Sequence, residues 1–144
     1  MFAPAASENG PGAFYARAIQ LRYDGSCGGR MYARFERYFG SKPTFPIYES
    51  ADLGLTWSKI SEVADTVNGW GLRYQPFLYE LPEDWGAFAR GTVLIAGNSI
   101  PSDFSRTKID IYSSTDSLKT GSFVSSVVTA GRAAWAPIQC GSRS

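Results

Sequence analysis

The sequence predicts an all-β chain made of two consecutive four-stranded antiparallel units. Three observations carry this. Apolar residues show almost no 3.6-residue period. They fall instead into short alternating runs cut by Gly, Pro, Asn, Asp and Ser. The series of four runs then starts again after roughly 60 residues, with one hairpin sequence recurring at the same place in each series. Composition agrees: 15% aromatics together with 15 glycines favour strands and turns over helices. The 144 residues, 44% of them hydrophobic, are enough for a buried core and unlike a disordered tail.

The strands follow in order. Residues 16–23 (ARAIQLRY) alternate and end at the turn pair Asp24-Gly25, and residues 31–38 (MYARFERY) form the second run. Residues 46–50 (PIYES) are the third and 56–63 (TWSKISEV) the fourth. The second series comprises 75–81 (QPFLYEL), 91–96 (GTVLIA), 108–113 (KIDIYS) and 122–128 (SFVSSVV). A further first strand starts near 134–138 (AWAPI).

Four-stranded units repeated at this spacing are the blades of a β-propeller. The expected organisation is a disordered segment over 1–13 and a partial propeller over 14–138. Blade one spans about 14–64, blade two about 74–129 and the start of blade three about 133–138. Residues 139–144 form an irregular tail. Two blades cannot close a ring and would leave strand edges and apolar faces open, so further blades are expected.

Several function classes are excluded. With 14 basic and 13 acidic residues and no basic block, neither nucleic acid nor an anionic membrane is expected as a partner. No apolar run approaches the roughly 20 residues that span a bilayer. Residues 1–12 lack an apolar signal-peptide core, which leaves an intracellular protein or an N-terminus further upstream. The chain has no histidine, so Ser-His-Asp and Cys-His mechanisms and histidine-ligated metals are out. No metal or cofactor is called for, and acid–base chemistry falls mainly to carboxylates. The pairing of Cys27 and Cys140 is left open by their spacing.

The recurring hairpin is the most specific signal. Ser50, Asp52, Gly54, Thr56 and Trp57 fit S-x-D-x-G-x-T-W at every specified position. In such a turn Asp52 accepts backbone N–H groups and Gly54 takes a positive φ. Thr56 returns the chain to β-structure and Trp57 packs its ring. A degraded copy lies 64 residues on. It keeps Ser114, Asp116 and Thr120, with Leu118 in the glycine place and Gly121 in the tryptophan place. This is the Asp box of sialidases and related propellers, and Asp52 is accordingly read as structural, not catalytic.

A meander places the turns between strands one and two, and three and four, on one face. The remaining loops lie on the opposite face, which becomes the candidate binding face. It carries residues 36–45, 64–75 and 96–107, with Tyr15 and Arg17 opening onto the same side. Arg17, Trp70, Arg73, Gln75 and Asn98 are the candidate ligand residues, because aromatic rings stack on sugar faces and amides or guanidinia bond hydroxyls. Alternation puts Glu36 and Arg37 on opposite sheet faces, so at most one addresses a ligand. Glu36 and Asp103 read as solvated or capping carboxylates.

Residues 15–21 (YARAIQL) with Asp24-Gly25, 35–38 (FERY), 46–50 (PIYES), the Asp box and 68–71 (NGWG) resemble the fungal branch of glycoside hydrolase family 93 over about residues 14–138. That resemblance implies a secreted, six-bladed propeller that cleaves α-1,5-linked arabinan from a chain end with retention. Retention needs two carboxylates about 5–5.5 Å apart, and the family's glutamate pair is expected in later blades, beyond this chain. The candidates above then become part of the sugar-binding wall. Residues 26–30 (SCGGR) and the tail after Ile138 depart from the family pattern. Two other functions stay in play: a sialidase-like enzyme, in which Arg17 and Arg73 address a carboxylate, and a non-catalytic carbohydrate-binding or interaction propeller.

Overall fold

The structure is a computed structural model, and it describes residues 12–23, 29–37 and 42–130. The described residues form eight strands and no helix. These are β1 (Ala13–Gln20), β2 (Met31–Arg37), β3 (Phe45–Ser50), β4 (Ser58–Val63), β5 (Leu72–Glu80), β6 (Val93–Ser99), β7 (Thr107–Ser114) and β8 (Ser122–Ala130). They pair in two antiparallel four-stranded sheets, β1-β2-β3-β4 and β5-β6-β7-β8, each a simple meander. These are two blades of a β-propeller. The expected third-blade strand at 134–138, the N-terminal segment up to residue 11, the tail, the Asp24-Gly25 turn and both cysteines lie outside the described residues.

Strands β1 and β2 of the first blade pack against β5 of the second. Tyr32, Phe45, Ile47 and Val63 from one sheet and Leu72, Leu78, Val93, Ile95, Tyr112 and Leu118 from the other share one buried cluster. The contact is close. A Cβ on Gly97 of β6 would stand 2.9 Å from Phe45 Cζ and nearer still to Cε2. Polar contacts cross the same seam. The backbone N–H groups of Arg22 and Tyr23 donate to the Glu80 carboxylate, each at 2.7 Å, and Ser61 Oγ donates to the Leu118 carbonyl.

Strand boundaries differ from expectation where the backbone leaves regular pleating. β1 starts at Ala13, not 16, and β5 at Leu72, not 75. In each, a bulge breaks the alternation, between Phe14 and Arg17 in β1 and between Arg73 and Phe77 in β5. β6 runs on through Gly97, Asn98 and Ser99 because β7 pairs with all three and β5 with Asn98 and Ser99, although those residue types read as a loop. β4 begins only at Ser58, since Thr56 is still tied to the preceding turn.

The two hairpin turns have the same hydrogen-bond scaffold. Ser50 Oγ donates to Asp52 Oδ1 (2.8 Å) and accepts Gly54 N–H (2.8 Å). Asp52 accepts Thr56 N–H (2.8 Å) and Thr56 Oγ1–H (2.5 Å). Ser114, Asp116, Leu118 and Thr120 repeat all four bonds at 2.8, 3.0, 2.9 and 2.8 Å. Leu118 takes φ +65°, in the same left-handed region as Gly54 at φ +91°. That conformation costs a leucine about 1–2 kcal/mol. Full burial of its side chain returns about 1.5–3 kcal/mol, so the glycine could be lost here. Trp57, half-buried, donates Nε1–H to the Gly54 carbonyl at 3.0 Å.

Candidate functional site

The face opposite the hairpin turns is built from residues 42–44, 64–71 and 100–106, together with the starts of β1 and β5. Backbone bonds tie these pieces into one surface. Leu72 N–H donates to the Pro43 carbonyl (2.8 Å), and Ile100 N–H donates to the Gly71 carbonyl (3.1 Å). Gly71, at φ +104°, lies so close to Pro43 that a Cβ would stand 2.8 Å from its Cδ.

The inter-blade segment 64–71 is organised by Asp65. Its carboxylate accepts N–H groups of Val67 (3.1 Å), Asn68 (2.8 Å) and Trp70 (2.9 Å), and the Ser99 hydroxyl (2.5 Å). Burial pushes the Asp65 pKa upward, but these donors outweigh it and hold the group below the usual carboxylate range. Asn68 extends the network. Its amide donates to buried Asp110 (3.0 Å) and to Ser99 (3.2 Å), and its oxygen accepts from Lys108 Nζ (2.8 Å). Asp110 also accepts from Ser126 Oγ (2.6 Å). Burial first, and the Asp65 and Asp110 charges next, push the nearby Tyr112 hydroxyl up to about 12.

The predicted site residues fall into different environments. Trp70 is half-buried. Its backbone is held by Asp65, and Lys108 Nζ lies 5.5 Å from its ring centroid, a cation–π arrangement. Arg73 is a buried strand residue, not a loop residue. Its Nε–H donates to the Ile100 carbonyl (3.1 Å), and its guanidinium lies 5.1 Å from the centroid of Phe104. It thereby anchors segment 100–106. Gln75 also belongs to β5, half-buried in the bulge at φ +46°. Asn98 is inside β6, cross-strand from Arg73 and 5% exposed, and its amide donates to the Tyr74 carbonyl (3.3 Å). Arg17 is exposed on β1, opposite Arg34.

The two carboxylates expected to be solvated or capping groups differ. Asp103 is exposed and accepts Ser105 N–H at 3.0 Å. Glu36 is 0% exposed, because β2 is covered by β1 on one edge, β3 on the other and β5 above.

Sequence reasoning passed over three features. The first is the network around Asp65, whose signal was legible as an Asp three residues before Asn-Gly. The second is Arg34, 2% exposed, whose Nη1–H donates to the Tyr15 carbonyl at 3.0 Å. Burial, with the neighbouring Arg17 charge adding to it, pushes its pKa down to about 10. The third is the pair of bulges, invisible in residue type. Among the described residues no group of three or more His, Cys, Asp or Glu is arranged to hold a metal ion.

Solved structures resemble this chain closely. An α-L-arabinanase of Penicillium chrysogenum, complexed with arabinobiose, is 47% identical at a TM-score of 0.84, over 92% of this chain and 37% of its own. A family 93 α-L-arabinofuranosidase of Fusarium graminearum, also complexed with arabinobiose, is 44% identical at 0.84, over 93% of this chain and 36% of its own. The same Fusarium enzyme with an iminosugar inhibitor matches equally well. The chain belongs to glycoside hydrolase family 93. Protein-family models and curated protein sequences give no match. The chain spans a little over one third of the length of these family 93 enzymes.

Proposed function

We propose that this family 93 chain forms the first two blades of a secreted glycoside hydrolase that acts from the end of α-1,5-linked arabinan. The observation that carries this is the 44–47% identity over more than nine-tenths of the chain to an arabinanase and an arabinofuranosidase, each solved with arabinobiose. Its contribution is the saccharide-contacting wall formed by residues 42–44, 64–71 and 100–106. Arg17, Trp70 and Gln75 face the ligand there, while Arg73 and Asn98 set the backbone that presents them.

The reaction is retaining. One carboxylate attacks the anomeric carbon and expels the leaving oxygen as a second carboxyl group protonates it. The second group then deprotonates the water that releases the sugar, the pair standing about 5–5.5 Å apart. The catalytic pair lies in blades beyond this chain. Asp65 and Asp110 do not qualify, since both are engaged in the hydrogen-bond network of the wall.

The test is titration calorimetry of the chain with linear α-1,5-arabinotriose and with a sialoside, alongside hydrolysis assays of the chain and of a longer gene product with debranched arabinan. Binding of arabinotriose by the chain, with cleavage to arabinobiose only by the longer product, is expected. Binding of the sialoside alone would replace the arabinan reading with the sialidase-like one. Arabinotriose binding with no hydrolysis by either protein would leave a carbohydrate-binding propeller.

A further inference from the structure

The first strand of each blade contains the same unusual device. In β1, Tyr15 has φ +53°, inside the bulge between Phe14 and Arg17. In β5, Tyr74 has φ +54°, inside the bulge between Arg73 and Phe77. Each is the third residue of its strand, and each is a tyrosine in the left-handed region, where a bulky side chain is strained. Each carbonyl is held by a buried side chain from the second strand. Arg34 Nη1–H donates to Tyr15 (3.0 Å), and Asn98 Nδ2–H donates to Tyr74 (3.3 Å). The bulges differ in length, two residues (15 and 16) against one in β1 and three (74–76) against one in β5, where Gln75 is also left-handed at φ +46°, so what repeats is a left-handed tyrosine whose carbonyl is clamped from the second strand.

Backbone strain of this kind persists only where surrounding structure over-determines it, and it gathers at binding and catalytic sites. Bulges act likewise, re-aiming a side chain out of the pleat. Burial does not account for these rings, although the Tyr15 ring lies 6.1 Å from that of Phe14, centroid to centroid. Tyr15 is 40% exposed and Tyr74 is half-buried, so neither ring is a core residue that would justify the strained backbone by burial. Both lie at the strand ends that meet the candidate binding face, and β5 is the strand against which β1 and β2 pack.

We propose that Tyr15 and Tyr74 are a repeated pair of saccharide-contacting residues, one per blade, and that Arg34 and Asn98 are positioning residues that hold them in register. This rests on the carbohydrate reading of the face. Stacking on sugar rings needs an aromatic surface set at a defined angle, and a clamped left-handed residue supplies one without a flexible loop.

The test separates ring from backbone. Glycine and asparagine both tolerate the left-handed region. Tyr15→Gly, Tyr15→Asn, Tyr74→Gly and Tyr74→Asn therefore keep the bulge and remove the ring. Tyr79→Asn, an exposed aromatic at the far end of β5, is the control. Binding of α-1,5-arabinotriose is measured by calorimetry well below every melting temperature, with folding checked by circular dichroism. Loss of affinity of roughly tenfold in the bulge variants is expected, with melting temperatures equal to or above the parent and no loss in the control. Affinities within twofold of the parent in the asparagine variants would overturn the proposal, as would an equal loss in Tyr79→Asn. A parent chain that binds no arabinotriose would sink the carbohydrate reading itself, an outcome distinct from a parent and variants that bind alike.

Discussion

Gly97→Ala tests how tightly the two blades are joined. The backbone at Gly97 has an ordinary φ, so alanine meets no conformational penalty. In an extended strand the exchange alone is favourable by about 0.5–1 kcal/mol, because glycine loses more freedom on folding. The opposing term is steric. The new methyl would stand 2.9 Å from Phe45 Cζ and closer to Cε2, where carbon atoms settle at roughly 3.5–4.0 Å. Phe45 is fully buried within the shared cluster, and its ring has no solvent side to move toward. Overpacking of this kind costs about 1–3 kcal/mol or more. The steric term wins, and a net loss of about 1–2 kcal/mol is expected. At this chain length that is a drop in melting temperature of roughly 3–7 °C. Differential scanning calorimetry reads it directly. The double variant Gly97→Ala/Phe45→Leu should recover part of the loss relative to the two single changes, since the smaller side chain leaves space for the methyl. A melting temperature equal to or above the parent in Gly97→Ala would refute the packing of β6 onto β3 across the seam.

The network and the turns give further expectations. Asp65→Ala removes the acceptor of three backbone N–H groups and of the Ser99 hydroxyl, and should cost about 2–4 kcal/mol, read as a lower urea midpoint with an unchanged slope. An unchanged midpoint would mean that segment 64–71 is held by other contacts. Acid should destabilise the fold. Hydrogen bonds from Thr56, side chain before backbone, hold Asp52 at about 2. Asp65 and Asp116 are also depressed, by donors that outweigh their burial. Folded-state values below the unfolded ones mean that the native state binds fewer protons. The stability these groups supply is therefore complete above about pH 4 and lost as pH falls toward their folded values. Melting curves between pH 6 and pH 2.5 should show this, with a shallower dependence in Asp65→Asn; a flat profile would contradict the assigned hydrogen bonds.

Much of the fold was legible because its signals are local. The runs of β2, β3 and β7 placed those strands nearly to the residue, since each is a short run rich in aromatic and β-branched residues bounded by turn formers. The hairpin turns were legible because Ser, Asp, Gly and Thr satisfy the turn's own donors and acceptors within eight residues. Even the degraded copy was placed, although Leu118 hides the glycine that the left-handed backbone calls for. The starts of β1 and β5 were misplaced for one shared reason. A bulge with a left-handed tyrosine breaks the period of two, and nothing in the residue types 13–17 or 72–76 announces it.

The sequence by itself determined the β class, the two four-strand repeats, the face opposite the serine–aspartate hairpins and the likeness to family 93. These depend on periodicity and on bonds between near neighbours, which survive in a linear string. Only the tertiary structure decided what each polar candidate does. Arg73 and Asn98 look alike on paper as ligand groups, yet burial commits one to the Ile100 carbonyl and the other to the Tyr74 carbonyl, across strands brought together by folding. A side chain's availability is set by what covers it, and coverage comes from residues distant in the chain.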